Sequence, residues 1–263
     1  IPVEYWSLDA VLAPFGLKSS KFSAKFYGTE KEKLEITSEE QILKIKKELE
    51  DADYEVGEIK KGERTKKAPL PFTTSTLQQE ASKALNFATQ KTMRIAQQLY
   101  EGVDVAGHGT MGLITYMRTD SLRISEEARA AGNKFIAETY GNKYLPSSPR
   151  YYKTKSGAQD AHEAIRPTMP ELSPERLKES LTPEQYKLYK LVWDRFIASQ
   201  MAAALYDTVS IDINAGDYGF KASGFSVRFD GFSVLYPYGD EEKSSIPKHA
   251  NSGDVLKVRE IKP

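Results

Sequence analysis

The sequence contains no cysteine, which excludes a disulfide framework, a thiol nucleophile and cysteine-ligated zinc. Histidine is scarce, and His108, His162 and His249 share no close spacing, which argues against a histidine metal cluster. No apolar run approaches the roughly 20 residues that span a bilayer, and no signal peptide opens the chain, so we expect no membrane partner. Net charge is also absent, with 37 basic and 37 acidic residues, so a nucleic acid would have to bind at a local patch.

The composition that remains is that of an ordinary globular protein. Of the 263 residues, 40% are apolar and 28% are charged, which is enough for one large domain or two modest ones and excludes general disorder. The chain begins Ile1-Pro2-Val3 without a methionine, so we expect it to be a piece of a longer protein.

Both ends of the sequence show the alternation of apolar and polar residues that is typical of β-strands. It occurs in Phe22–Phe26 near the start and in Val209–Ile213 and Phe225–Phe229 near the end. Gly216-Asp217 and Asp230-Gly231 supply turns between these runs. We therefore predict that strands from both ends of the chain pair in one sheet.

Helix starts are indicated by capping residues at four places, and most of them lie in the middle of the chain. They are Thr37 with Glu40, Thr76 with Gln79, Ser125, and Thr182 followed by Pro183 and Gln185. The first precedes an apolar stripe of Ile42, Ile45 and Leu49. Another helix is expected from about residue 90 to 100.

This distribution predicts an α+β protein of more than one domain, in which a mostly helical domain is inserted into a β-rich domain. We place the β-rich domain at residues 1–71 plus 204–263 and the helical domain at 72–203. Residues 72–205 carry 17 basic and 14 acidic side chains, a local charge of +3. Within them, helices 77–86 and 90–100 followed by the strand-like Leu113–Met117 suggest a winged-helix unit, although an ordinary helical hairpin has the same spacing.

Two motifs resemble known sites but lack the context that those sites require. Gly107–Gly112 matches GxGxxG, yet it follows a helix and leads into a strand, so we predict a loop or hairpin turn and no dinucleotide site. Asp51–Glu55 spaces its acids suitably for Mg²⁺, yet it follows a polar helix. We therefore expect a solvated helix end there and assign no metal site.

The segment Gly112–Ser121 offers a pair of side chains suited to phosphoryl transfer. In a strand, Tyr116 and Arg118 point to the same face. A nearby cation lowers the pKa of a phenol, and a guanidinium binds phosphate with two hydrogen bonds and stabilises its growing charge. An exposed Tyr-Arg stacking pair without catalytic function has the same pattern.

A second candidate lies at Asp160–Pro167. This segment is predicted to form one or two helical turns that are capped by Asp160 and stopped by Pro167. His162 and Arg166 would share a face of that turn and contact one phosphate. A capped surface turn with an incidental histidine is the alternative.

Together these segments resemble the type IA DNA topoisomerases, and the resemblance extends over essentially the whole chain. Leu70–Ala81, Gly112–Ser121, Asp160–Thr168 and Phe229–Phe232 occur in the family's order and approximate spacing. The stretch Leu-Ile-Thr-Tyr-Met-Arg-Thr-Asp-Ser is highly specific. The resemblance implies a β-rich arch that is interrupted by a helical domain carrying the nucleophile.

The resemblance also implies residue roles and partners. The family's nucleophile falls on Tyr116, its phosphate-contacting arginine on Arg118 and its active-site histidine on His162, while Arg166 is added here as a DNA-binding candidate. The implied reaction is cleavage of single-stranded DNA through a 5′-phosphotyrosine link, with resealing that needs no ATP, in a cytoplasmic, nucleoid-associated bacterial enzyme. The Mg²⁺-binding Toprim domain has no counterpart in this sequence, so we expect the isolated chain to bind single-stranded DNA without relaxing DNA.

Three other functions are compatible with parts of the pattern. A non-catalytic winged-helix module would bind DNA without using Tyr116. A reverse gyrase shares this region, and its ATPase part would lie outside the sequence. A rolling-circle nuclease uses tyrosine with a histidine-paired metal, and the lack of two neighbouring histidines argues against it.

Overall fold

Helices and strands occupy separate parts of the chain in a computed structural model, which describes residues 6–14, 21–29, 32–152, 162–237 and 251–262. The described residues form two compact units. The first lies within Ile1–Arg64, Leu205–Arg228 and Asp240–Pro263, and the second lies within Thr65–Ala204 and Phe229–Gly239. The mixture of helices with a large antiparallel sheet confirms the α+β prediction.

Six strands close a barrel in the order β1-β2-β7-β6-β3-β8. They are β1 (Asp9–Pro14), β2 (Phe22–Thr29), β3 (Tyr54–Lys66), β6 (Ala204–Ala215), β7 (Tyr218–Phe229) and β8 (Val255–Lys262). Strand β1 pairs antiparallel with β2 and β8, and β2 pairs antiparallel with β7. The prediction that strands from both ends share one sheet is therefore confirmed, and closure leaves few exposed sheet edges.

The barrel interior and one face of helix α1 (Glu39–Glu50) form the core of the first unit. The predicted alternation buries Phe22 and Ala24 of β2 and Ile211 and Ile213 of β6 in this core. Helix α1 contributes its predicted stripe of Ile42, Ile45 and Leu49.

Two details of the first unit differ from the sequence prediction. Helix α1 is capped by Ser38, whose Oγ accepts the Gln41 N–H, whereas the backbone N–H of Thr37 donates to the Gln41 side chain. In the second half of β7 the alternation does not mark a buried face, because Val227 is exposed. The buried positions of that strand are Phe220 and Ala222.

The second unit contains four α-helices: α2 (Thr74–Leu85), α3 (Thr89–Glu101), α4 (Glu126–Thr139) and α5 (Pro183–Gln200). The predicted caps Ser125 and Thr182 are confirmed, since each side chain accepts a backbone N–H of the first turn. Helix α2 is instead capped by Thr73, three residues before the predicted cap Thr76. Thr73 and Thr76 form a reciprocal capping box there, so the two threonines satisfy each other's backbone N–H groups.

Helix α5 is the centre of this unit and is buried on nearly all sides. Its Trp193 donates to the Pro170 carbonyl at 2.8 Å, and its Tyr189 donates to the Leu172 carbonyl at 2.7 Å. Helix α4 approaches through Gly132, where an added Cβ would lie 3.2 Å from the Phe196 ring. Among the described residues, no helix is long and apolar enough to cross a membrane.

A short hairpin follows α3 and leads toward the Tyr116 segment. It consists of β4 (Val103–Val105) and β5 (Gly109–Met111), which pair antiparallel. Gly107 and Gly109 have φ values of 79° and 72°, which other residues rarely adopt. The prediction of a hairpin turn at the GxGxxG match is thus confirmed.

Candidate active site

The segment that carries Tyr116 is extended but is not a strand of a sheet, so the strand prediction for Leu113–Met117 is wrong. A single bridge, between Ile114 and Pro167, pairs it within the described part of the chain. Burial nevertheless alternates along the segment with the expected period of two. Tyr116, Arg118 and Asp120 are exposed, and Met117, Thr119 and Ser121 are buried. Tyr116 and Arg118 therefore both reach solvent, although a bend separates them.

Hydrogen bonds attach this segment to the one that follows His162. Thr115 Oγ1 donates to the Ala164 carbonyl at 2.7 Å, and the Thr115 N–H donates to the Arg166 carbonyl at 2.9 Å. In return, the Arg166 N–H donates to Thr115 Oγ1 at 3.0 Å, and the Thr168 N–H donates to the Leu113 carbonyl at 3.0 Å. The backbone next to Tyr116 is thus fixed relative to the backbone next to His162.

The first turn of α2 holds the other side of the Tyr116 segment. Thr74 Oγ1 lies 2.8 Å from the Met117 carbonyl and accepts the Thr119 N–H at 2.8 Å. The Thr74 N–H donates to the Thr119 carbonyl at 2.9 Å, and the Ile165 N–H donates to the Phe72 carbonyl at 2.9 Å. Three segments that are distant in sequence are therefore bonded into one local structure.

Three aromatic rings are grouped at the surface of this structure. The Tyr116 ring lies 6.1 Å from the His162 ring and 5.5 Å from the Tyr100 ring, measured between centroids. Both contacts are edge-to-face, at 65° and 64°. Tyr116 keeps 42% of its surface exposed, so its hydroxyl-bearing ring is accessible to a ligand that approaches from solvent.

The two candidate arginines have opposite surroundings. Arg118 is exposed and has no hydrogen-bond or ion-pair partner among the residues that the structure describes. The Arg166 side chain is only 13% exposed, and its Nε donates to Glu163 Oε2 at 2.7 Å while Nη1 donates to the Pro167 carbonyl at 2.9 Å. Arg118 is therefore available to an anion, whereas the Arg166 guanidinium is neutralised by Glu163.

The helical turn predicted around His162 is wrong for the part that the structure describes. Residues 162–167 are extended, with bridges from Ile165 to Phe72 and from Pro167 to Ile114. Asp160, the predicted cap, lies outside the described residues. His162 and Arg166 thus do not share a helix face, and it is His162 that accompanies Tyr116.

Several residues that shape the site were not identified as site residues from the sequence. Thr115 and Thr74 act on partners 43 to 51 residues away in the chain, so no local pattern reveals them. Tyr100 reaches Tyr116 only because the β4–β5 hairpin returns the chain to the end of α3. Glu163 was predicted as a helix-turn residue, and its observed role is the ion pair with Arg166.

The acidic residues that the structure describes near this site form no metal-binding group. Among the described residues, no group of three or more histidine, aspartate or glutamate side chains is arranged to hold a metal. Asp51 is the C-cap of α1 and is exposed, as is Asp53, while Glu55 belongs to β3. The geometry that this chain provides is a phenol, an imidazole and a free guanidinium.

The sequence and the fold are both similar to those of known proteins. A family model described as DNA topoisomerase matches residues 1–263. The fold is similar to that of full-length topoisomerase I from Thermotoga maritima, with a TM-score of 0.75 and 33% sequence identity over 98% of this chain. The chain spans 40% of the length of that enzyme. The protein therefore belongs to the bacterial type IA DNA topoisomerase family.

Proposed function

We propose that the chain is the nucleophile-bearing part of an enzyme that cleaves and reseals single-stranded DNA and thereby relaxes negatively supercoiled DNA without ATP. The observation that carries this proposal is the exposed Tyr116 ring beside His162, on a segment that also presents Arg118, which has no partner in the part of the chain that the structure describes. Membership of the topoisomerase family supports the reaction class.

In the proposed reaction, Tyr116 Oη attacks a DNA phosphorus atom. A new oxygen–phosphorus bond forms, the bond to the 3′-oxygen breaks, and the products are a 5′-phosphotyrosine and a free 3′-hydroxyl. The phenol proton leaves as the bond forms, and the departing 3′-oxygen takes up a proton. The 3′-hydroxyl reverses these steps in religation, so the energy of the broken bond is retained.

Arg118 and His162 would support this step in different ways. The Arg118 guanidinium would bind a phosphate oxygen and stabilise the charge that grows on it. His162 would hydrogen-bond the phosphate or transfer a proton, because an imidazole can both donate and accept a hydrogen bond. Arg166 was predicted to bind DNA, and we propose that it acts through the backbone of its segment, because Glu163 occupies its guanidinium.

The remaining parts of the proposal concern domains and partners. We propose that residues 1–71 plus 204–263 form the arch and residues 72–203 the tyrosine-bearing domain, in which α2, α3 and the β4–β5 hairpin form a winged helix. The barrel and the helical unit support this division in outline, although residues 65–71 and 229–239 belong to the compact unit that contains the helices. Mg²⁺ would be held by an acidic Toprim domain outside this chain, and the whole enzyme would work on the bacterial chromosome.

Peptide mapping of the DNA adduct tests the proposal. The chain is rejoined to, or mixed with, the missing domains and incubated with single-stranded DNA. We expect the adduct on the peptide that contains Tyr116, and we expect Tyr116→Phe to abolish it while DNA binding persists. Attachment at another tyrosine contradicts the mechanism. Binding without any adduct in the rejoined enzyme favours a non-catalytic winged-helix module.

A further inference from the structure

We propose that Tyr100 is a stacking platform for a nucleobase that adjoins the scissile phosphate. The inference rests on the proposed role of Tyr116 and extends it to the recognition of the DNA strand. The ligand of Tyr100 is the π-face of a base of single-stranded DNA, and this stacking contact does not depend on the charge of the phosphates.

Tyr100 is held next to Tyr116 by the backbone. The Leu113 N–H donates to the Leu99 carbonyl at 2.7 Å, which returns the chain to the last turn of α3 after the hairpin. At Gly112 an added Cβ would lie only 2.5 Å from the Tyr100 carbonyl oxygen, so only glycine allows this close return. The two tyrosines are thereby fixed with their ring centroids 5.5 Å apart.

The Tyr100 side chain is more exposed than a residue whose role is packing in the interior. It is 41% exposed, and Tyr116 is its one aromatic neighbour among the described residues. The planes of the two rings are inclined at 64°, so the Tyr116 ring can cover at most one of the two faces of the Tyr100 ring. Tyr116, in contrast, is flanked by rings on two sides. A face of Tyr100 is therefore left for a planar ligand.

The position of the ring indicates which planar ligand it would meet. When Tyr116 attacks a phosphate, the nucleotides on either side of that phosphate must occupy the space around the Tyr116 ring. Aromatic side chains bind bases of single strands by stacking, without sequence preference and without added charge. Such a contact suits a helical unit whose sequence carries few excess positive charges.

A thermodynamic comparison of two strands tests the role of Tyr100. Fluorescence anisotropy measures binding of the 263-residue chain to an oligothymidylate and to an abasic strand with the same number of phosphates. We expect Tyr100→Leu to lower the affinity ratio of the two strands by about tenfold, as expected for one lost base–aromatic stack. Tyr100→Phe should keep the ratio, because it keeps the ring.

Tyr151, which is 70% exposed and also lies in the helical unit, provides the matched control, and Tyr151→Leu should leave the ratio unchanged. Equal weakening of both strands by Tyr100→Leu indicates a structural effect and overturns the proposal, as does no change for either strand. Failure of the Tyr100 proposal can be distinguished from failure of the proposed function. If the adduct maps to Tyr116 and the ratio does not respond to Tyr100→Leu, the Tyr100 proposal alone is wrong.

Discussion

Arg118 and Arg166 show that the surroundings of a residue decide what its charge can do. Both are arginines in segments that the family resemblance singles out. Arg166 is enclosed by Glu163 and the Pro167 carbonyl, so an approaching phosphate would have to displace an ion pair. Arg118 has no such competitor in the described part of the chain, and binding a phosphate there breaks no existing contact.

We therefore expect Arg118→Ala to reduce DNA cleavage in the rejoined enzyme by about 10²–10³-fold, the usual loss for one donor that stabilises transition-state charge. His162→Ala should cost less, since a proton can also pass through water. Single-turnover cleavage of a labelled single strand measures both. Arg176→Ala removes another exposed arginine as a control. A loss at Arg118 no larger than the loss at Arg176 would contradict the assigned role.

Asp194 is a buried acid that the proposed chemistry does not use. Its side chain is 2% exposed and accepts a hydrogen bond from Lys190 Nζ at 2.8 Å. Burial raises the pKa of Asp194 to about 6, against the opposing effect of Lys190. Because this pKa lies above the unfolded value near 3.9, the folded state binds the proton more tightly. The stabilisation that comes from binding this proton is fully present below about pH 4 and is lost as the pH rises through the folded-state pKa of about 6.

Asp194→Asn removes this titration. The difference in unfolding free energy, variant minus wild type, should increase by about 2–3 kcal/mol as the pH rises from about 4 to about 7. Chemical denaturation at several pH values, followed by tryptophan fluorescence, measures the difference. A constant difference between Asp194→Asn and the wild type over this pH range would refute the assignment.

At the scale of elements, α2 holds the Tyr116 segment through the hydroxyl and the backbone N–H of Thr74. Thr74→Val keeps the side-chain shape but leaves the Met117 carbonyl and the Thr119 N–H without that contact. We expect cleavage to fall by about tenfold or more, because small displacements of reacting groups slow reactions strongly, while single-strand affinity stays unchanged. Thr74→Ser should retain activity. Paired cleavage and anisotropy assays test this, and an equal loss of binding and cleavage would rule out a positioning role.

Elements with local signals were predictable from the sequence. Ser125 and Thr182 lie directly before the helices they cap, so the pattern and the contact involve neighbouring residues. The conformations of the segments at 112–121 and 162–167 were not predictable, because most of the hydrogen bonds that join them to other segments come from residues more than 40 positions away. Pro167 stops a helix in a local pattern, yet here it forms a bridge with Ile114. Tyr116, Arg118 and His162 were singled out by local patterns in the sequence, the resemblance implied their roles, and those roles remain predictions.

At the scale of the whole molecule, the balance of charges limits how DNA can be bound. With 37 basic and 37 acidic residues, attraction over the whole surface is weak and a few local contacts must suffice. We expect micromolar or weaker affinity for single strands. We also expect a shallow salt dependence, with a log–log slope of about −2, corresponding to about three neutralised phosphates.

Anisotropy titrations over a range of salt concentrations measure this slope. Arg118→Ala should make it shallower by about 0.7, the contribution of one phosphate contact on a single strand. Competition with blunt duplex DNA provides the control for strand preference. Equal binding of duplex and single strands would contradict the topoisomerase proposal and would favour a plain winged-helix module.

The β4–β5 hairpin leaves the last turn of α3 and returns to it, since Leu113 bonds to Leu99. The tip, at Ala106–Gly109, is exposed, and Gly107 and Gly109 have no atom within 4 Å of an added Cβ. Residues can therefore be inserted, or a label attached, at the tip without changing the contacts that hold the Tyr116 segment. Because the protein has no cysteine of its own, His108→Cys would create a single thiol for a fluorophore that reports the arrival of a DNA strand.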